Sequence, residues 1–203
     1  MELILASGSP RRLELLRQIG LEPRVVVSHC EEEKTDRDPA QLVCHNALAK
    51  GRDVCRRLGD QVPILTADTV VVLEGEILGK PRDPQEAAAM LRKLSGRSHQ
   101  VLTGLALFYR GKVLTHVETT QVQFSPLSEK DIAGYIRTGE PLDKAGAYGI
   151  QGKAALFIPT INGSYSNVVG LPLAALKKLF AELDVTEDDA LSHTGDASGG
   201  TAS

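Results

Sequence analysis

The amino-acid sequence predicts an α/β fold in which helices pack on a mixed β-sheet. Segments with the composition of strands alternate with segments whose apolar residues have helical spacing, and this alternation is typical of α/β proteins. Two strand segments also reach turns, at residues 74–75 and 110–111, and then reverse as β-hairpins do. Hairpins add antiparallel pairs, so we expect parallel and antiparallel strands in one sheet.

The first strand and helix are clearly marked. Residues 3–6 are apolar and lead to Ser9, which can cap a helix, and to Pro10, which suits the first helical position. Leucines then recur at helical spacing until Gly20, where we expect the helix to end. Residues 7–12 therefore lie where a strand feeds a helix.

Further strands flank a long helix in the next part of the chain. Residues 24–27 have strand composition, and a capping pattern at Asp38 opens a helix to about Leu58. Residues 63–73 are rich in Ile, Leu, Val and Thr, and the chain turns back through residues 76–78. These last two segments predict a hairpin.

A second hairpin lies between two shorter helices. A capping pattern at Asp83 begins a helix that ends near Gly96. Residues 99–109 and 112–124 then predict a longer hairpin, and Ser128 caps the helix that follows.

The end of the chain combines a glycine-rich segment, an apolar strand and a last helix. We expect the strand at about residues 154–161 and the helix at residues 171–183. Residues 184–203 hold five acids and no Lys or Arg, which predicts a disordered tail. The predicted domain is therefore residues 1–183.

Charge and composition exclude broad classes of partner. The chain has 23 Lys and Arg against 26 Asp and Glu, and without the tail the balance is 23 basic to 21 acidic. Nucleic-acid binding needs a dominant basic face, and four Tyr, four Phe and no Trp make a poor stacking platform. The sequence has no apolar run of about 20 residues, the length that crosses a bilayer, and no secretory signal. We expect a cytoplasmic protein with no nucleic-acid or membrane partner.

The cysteines do not predict a disulfide framework or a zinc site. Cys30, Cys44 and Cys55 are odd in number and form no CxxC pair. His29 and His45 adjoin two of them, but chelating spacings are missing. Small apolar residues on a helix are the favoured interpretation of Cys44 and Cys55.

Residues 7–12, Ser-Gly-Ser-Pro-Arg-Arg, predict a phosphate site. Unpaired N–H groups and the dipole at a helix N-terminus attract anions, and hydroxyls and guanidiniums add to that attraction. Cations at this end of a helix are otherwise unfavourable, so Arg11 and Arg12 call for a ligand. The alternative is that both are solvated surface arginines.

Asp68 is the best candidate for a general base or metal ligand. It lies within an apolar strand segment, where a carboxylate is costly unless it is paired, ligates a metal or faces a cleft. The alternative is an edge-strand residue that faces water. One of the three acids Glu31, Glu32 and Glu33 is a candidate to share a divalent ion with Asp68, although such a run is usually just solvated.

Three lysines can add positive charge for a triphosphate. Lys50, Lys80 and Lys144 each stand in apolar or glycine-rich surroundings, and transfer at phosphorus chiefly needs charge neutralisation. Each one alone is equally consistent with a surface lysine. The nearby glycine segments lack the spacing of a P-loop or a dinucleotide fingerprint.

Six separated motifs give the chain a specific resemblance. They lie at residues 5–12, 67–70, 79–81, 94–96, 139–152 and 162–173. In this order they resemble the Maf family of nucleoside triphosphate pyrophosphatases, over residues 2 to about 183. The resemblance implies the mixed α/β fold of the inosine triphosphatase group, with a cleft between two lobes.

The resemblance also implies roles for ten residues. Asp68 matches the proton acceptor, and the residues at the phosphate end are Ser7, Arg11, Arg12, Glu32, Lys50 and Lys80. Arg12, Thr69 and Gln151 match the trio that distinguishes a subgroup acting on dTTP and UTP, and Lys144 joins the substrate-binding set. Thr66 departs from the family, because many relatives have Gly there.

The expected reaction is hydrolysis of dTTP, UTP and modified pyrimidine nucleotides to the monophosphate and pyrophosphate. The resemblance implies a divalent cation, Mg²⁺ or Mn²⁺, which Asp68 and Glu32 would hold, and a homodimer. A nucleotide sensor that regulates septum formation through a partner uses the same pocket and stays open at this point.

Overall fold

The structure is a computed structural model that describes residues 2–33 and 38–185. Its strands are β1 (Ile4–Leu5), β2 (Arg24–Val25), β3 (Ile64–Leu73), β4 (Glu76–Leu78), β5 (Ser98–Tyr109), β6 (Lys112–Gln123) and β7 (Thr160–Asn162). Its helices are α1 (Pro10–Gln18), α2 (Pro39–Leu58), α3 (Pro84–Leu94), α4 (Glu129–Ile136), α5 (Tyr165–Val169) and α6 (Leu173–Glu182). Three 3₁₀ turns lie at Glu140–Asp143, Ala145–Ala147 and Lys153–Phe157.

The strands form one mixed sheet in the order β2-β1-β3-β5-β6-β7, with β4 paired to β3. β1 runs parallel to β2 and β3, and the remaining pairs are antiparallel. The predicted mixed α/β fold is confirmed. Both predicted hairpins are present, as β3-β4 and β5-β6.

One edge of β3 is divided between two partners. β5 pairs along the opposite edge of β3 from Ile64 to Val72. On the divided edge, β1 pairs with Ile64 and Leu65, whereas β4 pairs with Val71, Val72 and Leu73. Residues 66–70 lie between these two pairings. The sheet therefore opens into a cleft at the middle of β3, between a lobe built on β1 and a lobe built on β4.

The alternation of β3 sends neighbouring side chains to opposite faces of the sheet. Ile64 and Val70 pack on the α2 side, with Ala47 and Val43 in their respective clusters. The odd-numbered side chains pack on the other face, where Leu65 joins the core around α1 and α6 and Val71 joins the core around α3. Asp68 is therefore directed to α2, and Thr69 to the opposite face at the boundary of the two lobes.

Two glycines let α2 lie close to the sheet. A Cβ on Gly104 of β5 would stand 2.5 Å from the carbonyl oxygen of Val43, and a Cβ on Gly51 would collide with the ring of Phe108. Close approach of a helix to a strand is a common reason for glycine in either element. Here it brings the side chains of α2 within reach of Asp68.

The predicted strand at residues 154–161 is wrong over most of its length. Lys153–Phe157 is a 3₁₀ turn, and only Thr160–Asn162 forms a strand. Ala154 and Leu156 are two positions apart and would share one face of a strand. Ala154 is fully buried, however, whereas Leu156 is 84% exposed. The short helix α5 was not predicted, and Ser164 caps it by accepting the N–H of Asn167.

The structure describes residues 184 and 185, where the predicted tail begins. Val185 is buried among the residues of the α6 core, and its N–H donates to the carbonyl of Phe180. The disorder predicted for residues 184–203 falls, from residue 186 onward, outside the described residues. Within residues 2–33 and 38–185, no helix has the length and apolar character needed to cross a membrane.

Candidate active site

The cleft at the middle of β3 gathers the predicted site residues. Nine of them line one chamber of the cleft, which encloses about 790 Å³ including the open mouth. These nine are Arg11, Arg12, Glu32, Lys50, Asp68, Thr69, Lys80, Lys144 and Gln151. Ser7 lines an adjoining chamber that shares Arg11, Arg12, Glu32, Lys50 and Lys80 with the first.

Lys50 of α2 joins the two candidate carboxylates. Its Nζ lies 2.7 Å from Asp68 Oδ1 and 2.8 Å from Glu32 Oε1. Both Lys50 and Asp68 are buried, at 9% and 6% exposure. The alternative of an edge-strand residue that faces water is therefore wrong for Asp68, because its carboxylate is buried and paired rather than solvated.

Asp68 is held at its second oxygen by a residue that the sequence did not single out. Asn46 Nδ2 donates to Asp68 Oδ2 at 3.0 Å and to the carbonyl of Glu33 at 3.2 Å, and its Oδ1 accepts the Glu33 N–H at 2.9 Å. Asn46 lies four residues before Lys50, so both side chains project from one face of α2. That spacing was the available signal, but nothing local indicated that this face meets Asp68.

Glu32 is the member of the acidic run that faces Lys50. Its side chain is 43% exposed. Burial raises its pKa, but Lys50, Lys80 and Arg12 act in the opposite direction, and the pKa lies below its usual value. Glu33 turns to His45, whose Nε2 lies 3.2 Å from its Oε2. Glu32 is thus an ionised carboxylate at the rim of a basic cleft.

Arg12 is a deeply enclosed cation of the cleft, at 9% exposure. Its guanidinium donates to three neutral oxygens: the Gly170 carbonyl at 2.8 Å, Ser7 Oγ at 3.0 Å and Thr69 Oγ1 at 3.1 Å. Burial lowers its pKa, and the nearby charges of Asp68 and Glu32 oppose that shift. A buried guanidinium held by neutral partners is prepared for an anionic ligand.

A chain of hydroxyl groups continues from Arg12 into the sheet. Thr69 Oγ1 lies 2.9 Å from Thr103 Oγ1, and Thr103 donates to the carbonyl of Asn167 at 3.2 Å. Because a hydroxyl has one proton, Thr103 accepts from Thr69 when its own proton is on the Asn167 carbonyl. The Thr69 proton is therefore committed to Thr103, and Thr69 presents only acceptor capacity to the cleft.

An ion pair joins the two lobes beside the cleft. Arg11 of α1 lies 3.7 Å from Asp143, and Lys144 Nζ lies 2.7 Å from Asp143 and also donates to the Glu140 carbonyl at 2.7 Å. Asp143 was not among the predicted site residues. Its own side chain is 68% exposed, so the pairing is open to exchange with a bound anion.

The glycine-rich segment forms the opposite wall. Gly146 has φ +68°, and a Cβ there would stand 2.8 Å from Val71. Two tyrosine hydroxyls anchor residues 148 and 149 of this segment. Tyr135 Oη accepts the Gly149 N–H at 3.1 Å, and Tyr148 Oη lies 2.7 Å from His99 Nε2. This wall brings Gln151, an exposed residue, to the chamber.

Asp68 and Glu32 have the chemistry to hold a divalent cation whose other coordination positions a bound ligand would fill. No group of three His, Cys, Asp or Glu that could hold a metal occurs in the described ranges, and Cys30, Cys44 and Cys55 are free there. Mg²⁺ is usually held by one or two carboxylates together with substrate phosphates and water. Two carboxylates that share Lys50 in a cleft lined by cations fit that pattern.

Fold and site together define an α/β protein with a cleft lined by both cationic and carboxylate side chains. Solved structures with this fold include a HAM1 protein from Coxiella burnetii, with a TM-score of 0.51 and 17% identity over 92% of this chain and 100% of that one. The Ham1 protein of Staphylococcus aureus has a TM-score of 0.52 and 14% identity, over 91% of this chain and 100% of its own. At such identity the likeness concerns the fold alone.

The chain belongs to the family of Maf-like proteins, which it matches over residues 2–183, so the family predicted from the motifs is confirmed. A dTTP/UTP pyrophosphatase of Symbiobacterium thermophilum is 56% identical over 173 residues, 85% of this chain and 89% of the relative. The dTTP/UTP pyrophosphatase of Escherichia coli O157:H7 is 47% identical over 194 residues, 95% of this chain and 98% of the relative.

Proposed function

We propose that the chain hydrolyses dTTP and UTP to the monophosphate and pyrophosphate. The observation that carries the proposal is the cleft in which Arg11, Arg12, Lys50, Lys80 and Lys144 surround the paired carboxylates Asp68 and Glu32. Relatives similar over almost the whole chain are named for this activity. A nucleotide sensor is not favoured, because those relatives are enzymes.

The cations supply what hydrolysis of a triphosphate mainly requires. Charge on the phosphate oxygens and on the departing pyrophosphate needs preorganised positive groups. Arg12 is already fixed by Ser7, Thr69 and Gly170, so it loses little freedom on binding. Arg11 and Lys144 exchange Asp143 for phosphate.

Asp68 is the proposed proton acceptor. A water attacks the α-phosphorus, Asp68 receives its proton, and the bond from that phosphorus to the bridging oxygen breaks so that pyrophosphate leaves. A positioned base contributes about 100-fold or more to such a step. Lys50 fixes Oδ1 of Asp68 and also stands beside Glu32, so the carboxylates and this cation move as one unit.

Asp68 and Glu32 are the residues that would hold Mg²⁺ or Mn²⁺. Such an ion neutralises phosphate charge and orients the reacting groups. The residues of the chain perform the binding, orientation and proton transfer described above.

Thr69, Gln151 and Arg12 are the proposed base-reading residues. Thymine and uracil carry an N–H at ring position 3, whereas cytosine carries a bare nitrogen there. Thr69, whose own proton is directed to Thr103, would accept that N–H and disfavour cytosine. The Gln151 amide can pair with the ring carbonyls, which modified thymines and uracils retain.

Two further features belong to the proposal. We expect a homodimer, on the family resemblance, and sedimentation of the purified chain measures it. We also expect a cytoplasmic enzyme, because its substrates are intracellular metabolites and because Cys30, Cys44 and Cys55 are free thiols, as is usual in a reducing compartment.

The direct test is pyrophosphate release from a panel of triphosphates with Mg²⁺ or Mn²⁺. We expect release from dTTP, UTP and uracil or thymine analogues, and much less from CTP, ATP and GTP. Binding of UTP without turnover under all these conditions would support a sensor and contradict the proposal.

A further inference from the structure

We propose that Asn46 is a positioning residue for the reaction, which fixes the Asp68 carboxylate and sets its spacing from Glu32. The inference rests on the proposed function, in which Asp68 accepts the proton. Asn46 lines neither chamber of the cleft, so it acts through Asp68 and through the backbone next to Glu32.

The hydrogen bonds leave Asn46 one orientation. Its Oδ1 accepts the Glu33 N–H, and its Nδ2 donates both to the Glu33 carbonyl and to Asp68 Oδ2. A flipped amide would place its NH₂ against the N–H of Glu33 and its oxygen against both the Glu33 carbonyl and the Asp68 carboxylate, giving three repulsive contacts. Asn46 is only 3% exposed, so water cannot relieve these contacts. The side chain is therefore a rigid connector.

The connector joins two segments that lie far apart in sequence. β3 carries Asp68, and the loop before α2 carries Glu32 and Glu33. Lys50 already joins the two carboxylates through a charge pair, but a lysine is long and its ammonium must also serve the phosphates. Asn46 is short and its hydrogen bonds are fully used within the protein, so it holds the same geometry without a charge for which the phosphates compete.

Asn46 also fixes the plane of the Asp68 carboxylate. Lys50 donates to Oδ1, and Asn46 donates to Oδ2 at 3.0 Å. One bond leaves the carboxylate free to rotate about χ2, whereas two bonds at opposite oxygens fix it. A fixed base should act on the chemical step more than on substrate affinity.

Two variants separate positioning from folding. Asn46→Leu has similar volume and removes all three hydrogen bonds. Asn46→Asp is nearly isosteric and keeps an acceptor for the Glu33 N–H, but it replaces the donor to Asp68 with a second carboxylate. Val43→Ala, one turn earlier on α2 and fully buried, is the matched control, because it makes a cavity in the same helix and removes no hydrogen bond to Asp68.

The first measurement is steady-state pyrophosphate release from UTP by the folded full chain. We expect kcat to fall about 10- to 100-fold in both Asn46 variants, as is usual when a group that orients an active-site ligand is lost, with KM changed less than about threefold. Val43→Ala should keep kcat within about twofold. Equal kcat in Asn46→Asp and the wild type, or an effect confined to KM, would overturn the proposal.

The second measurement is independent of turnover. Asn46→Asp places two carboxylates in contact, so its urea midpoint should fall, and adding Asp68→Asn should restore part of the loss by reversing the hydrogen bond. Additive effects of the two substitutions on the midpoint would overturn the proposed contact. If the wild type itself released no pyrophosphate, the proposed function would fail, while this stability cycle would still report on the contact.

Discussion

Replacement of Thr103 by Val should weaken the preference of the enzyme for UTP over CTP. Thr103 is fully buried and lies behind Thr69, and its hydroxyl donates to the Asn167 carbonyl while it accepts from Thr69. In the Val variant the Thr69 proton loses its acceptor and is free to turn to the cleft. Thr69 could then donate to the bare ring nitrogen of cytosine.

The size of this change follows from a single hydrogen bond in which donor and acceptor are exchanged. A buried donor that faces another donor costs about 1–3 kcal/mol, which corresponds to roughly 5- to 150-fold in kcat/KM. We expect the UTP to CTP ratio of kcat/KM to fall by about tenfold or more in Thr103→Val. The Asn167 carbonyl also loses its donor, so the variant should be less stable by about 1–3 kcal/mol.

The assay is competitive pyrophosphate release from UTP and CTP, with Thr103→Ser as the matched control. Serine keeps the hydroxyl and its polarity, so the ratio should stay within about twofold of the wild type. An unchanged ratio in Thr103→Val, in protein shown to be folded, would mean that Thr69 is not held as an acceptor by Thr103.

Three further predictions concern the cleft and its walls. Asp143→Asn frees Arg11 and Lys144 for phosphate, so the KM for UTP should fall about two- to fivefold, as expected for an exposed ion pair. Burial lowers the pKa of His99 to about 4, so acid is taken up first by the unfolded chain, and stability attributable to His99 should be lost as pH falls from about 6.5 to 4, by up to about 3 kcal/mol. Urea denaturation of the wild type and of His99→Gln across that range measures the difference. Gly146→Ala should destabilise the fold by about 1–3 kcal/mol, because φ is +68° and the new methyl meets Val71.

Each of these has a contradicting result. A higher KM in Asp143→Asn would make Asp143 part of the binding set rather than a competitor for it. A parallel pH dependence of stability in wild type and His99→Gln would remove His99 as the source. An unchanged urea midpoint in Gly146→Ala would show that the segment can shift away from β3 at no cost.

Much of the fold could be predicted because its signals are local. Caps and apolar spacing marked α1, α2, α3 and α4, and glycines at Gly75 and Gly111 marked the two hairpins. The strand expected at residues 154–161 failed for a physical reason. An apolar run shows that side chains can be buried, but the direction of the chain there is set by Glu140, whose carboxylate accepts the Lys153 N–H.

The candidate site could be predicted where a residue conflicts with its local setting. Asp68 in an apolar strand and two arginines at a helix N-terminus are unfavourable unless a partner exists, so their positions in the sequence already indicate function. Asn46 and Thr103 are ordinary in their own elements. Their importance arises from tertiary contact across 22 and 34 positions of sequence, which no local pattern contains.

The proposed mechanism depends above all on Asp68, held by Lys50 and Asn46, as the acceptor of the proton from the attacking water. Single-turnover hydrolysis of UTP by Asp68→Asn under saturating enzyme tests this role, because binding and product release do not contribute. We expect a rate at least about 100-fold below that of the wild type, with UTP still bound. A wild-type rate of pyrophosphate formation in that variant would exclude Asp68 as the base.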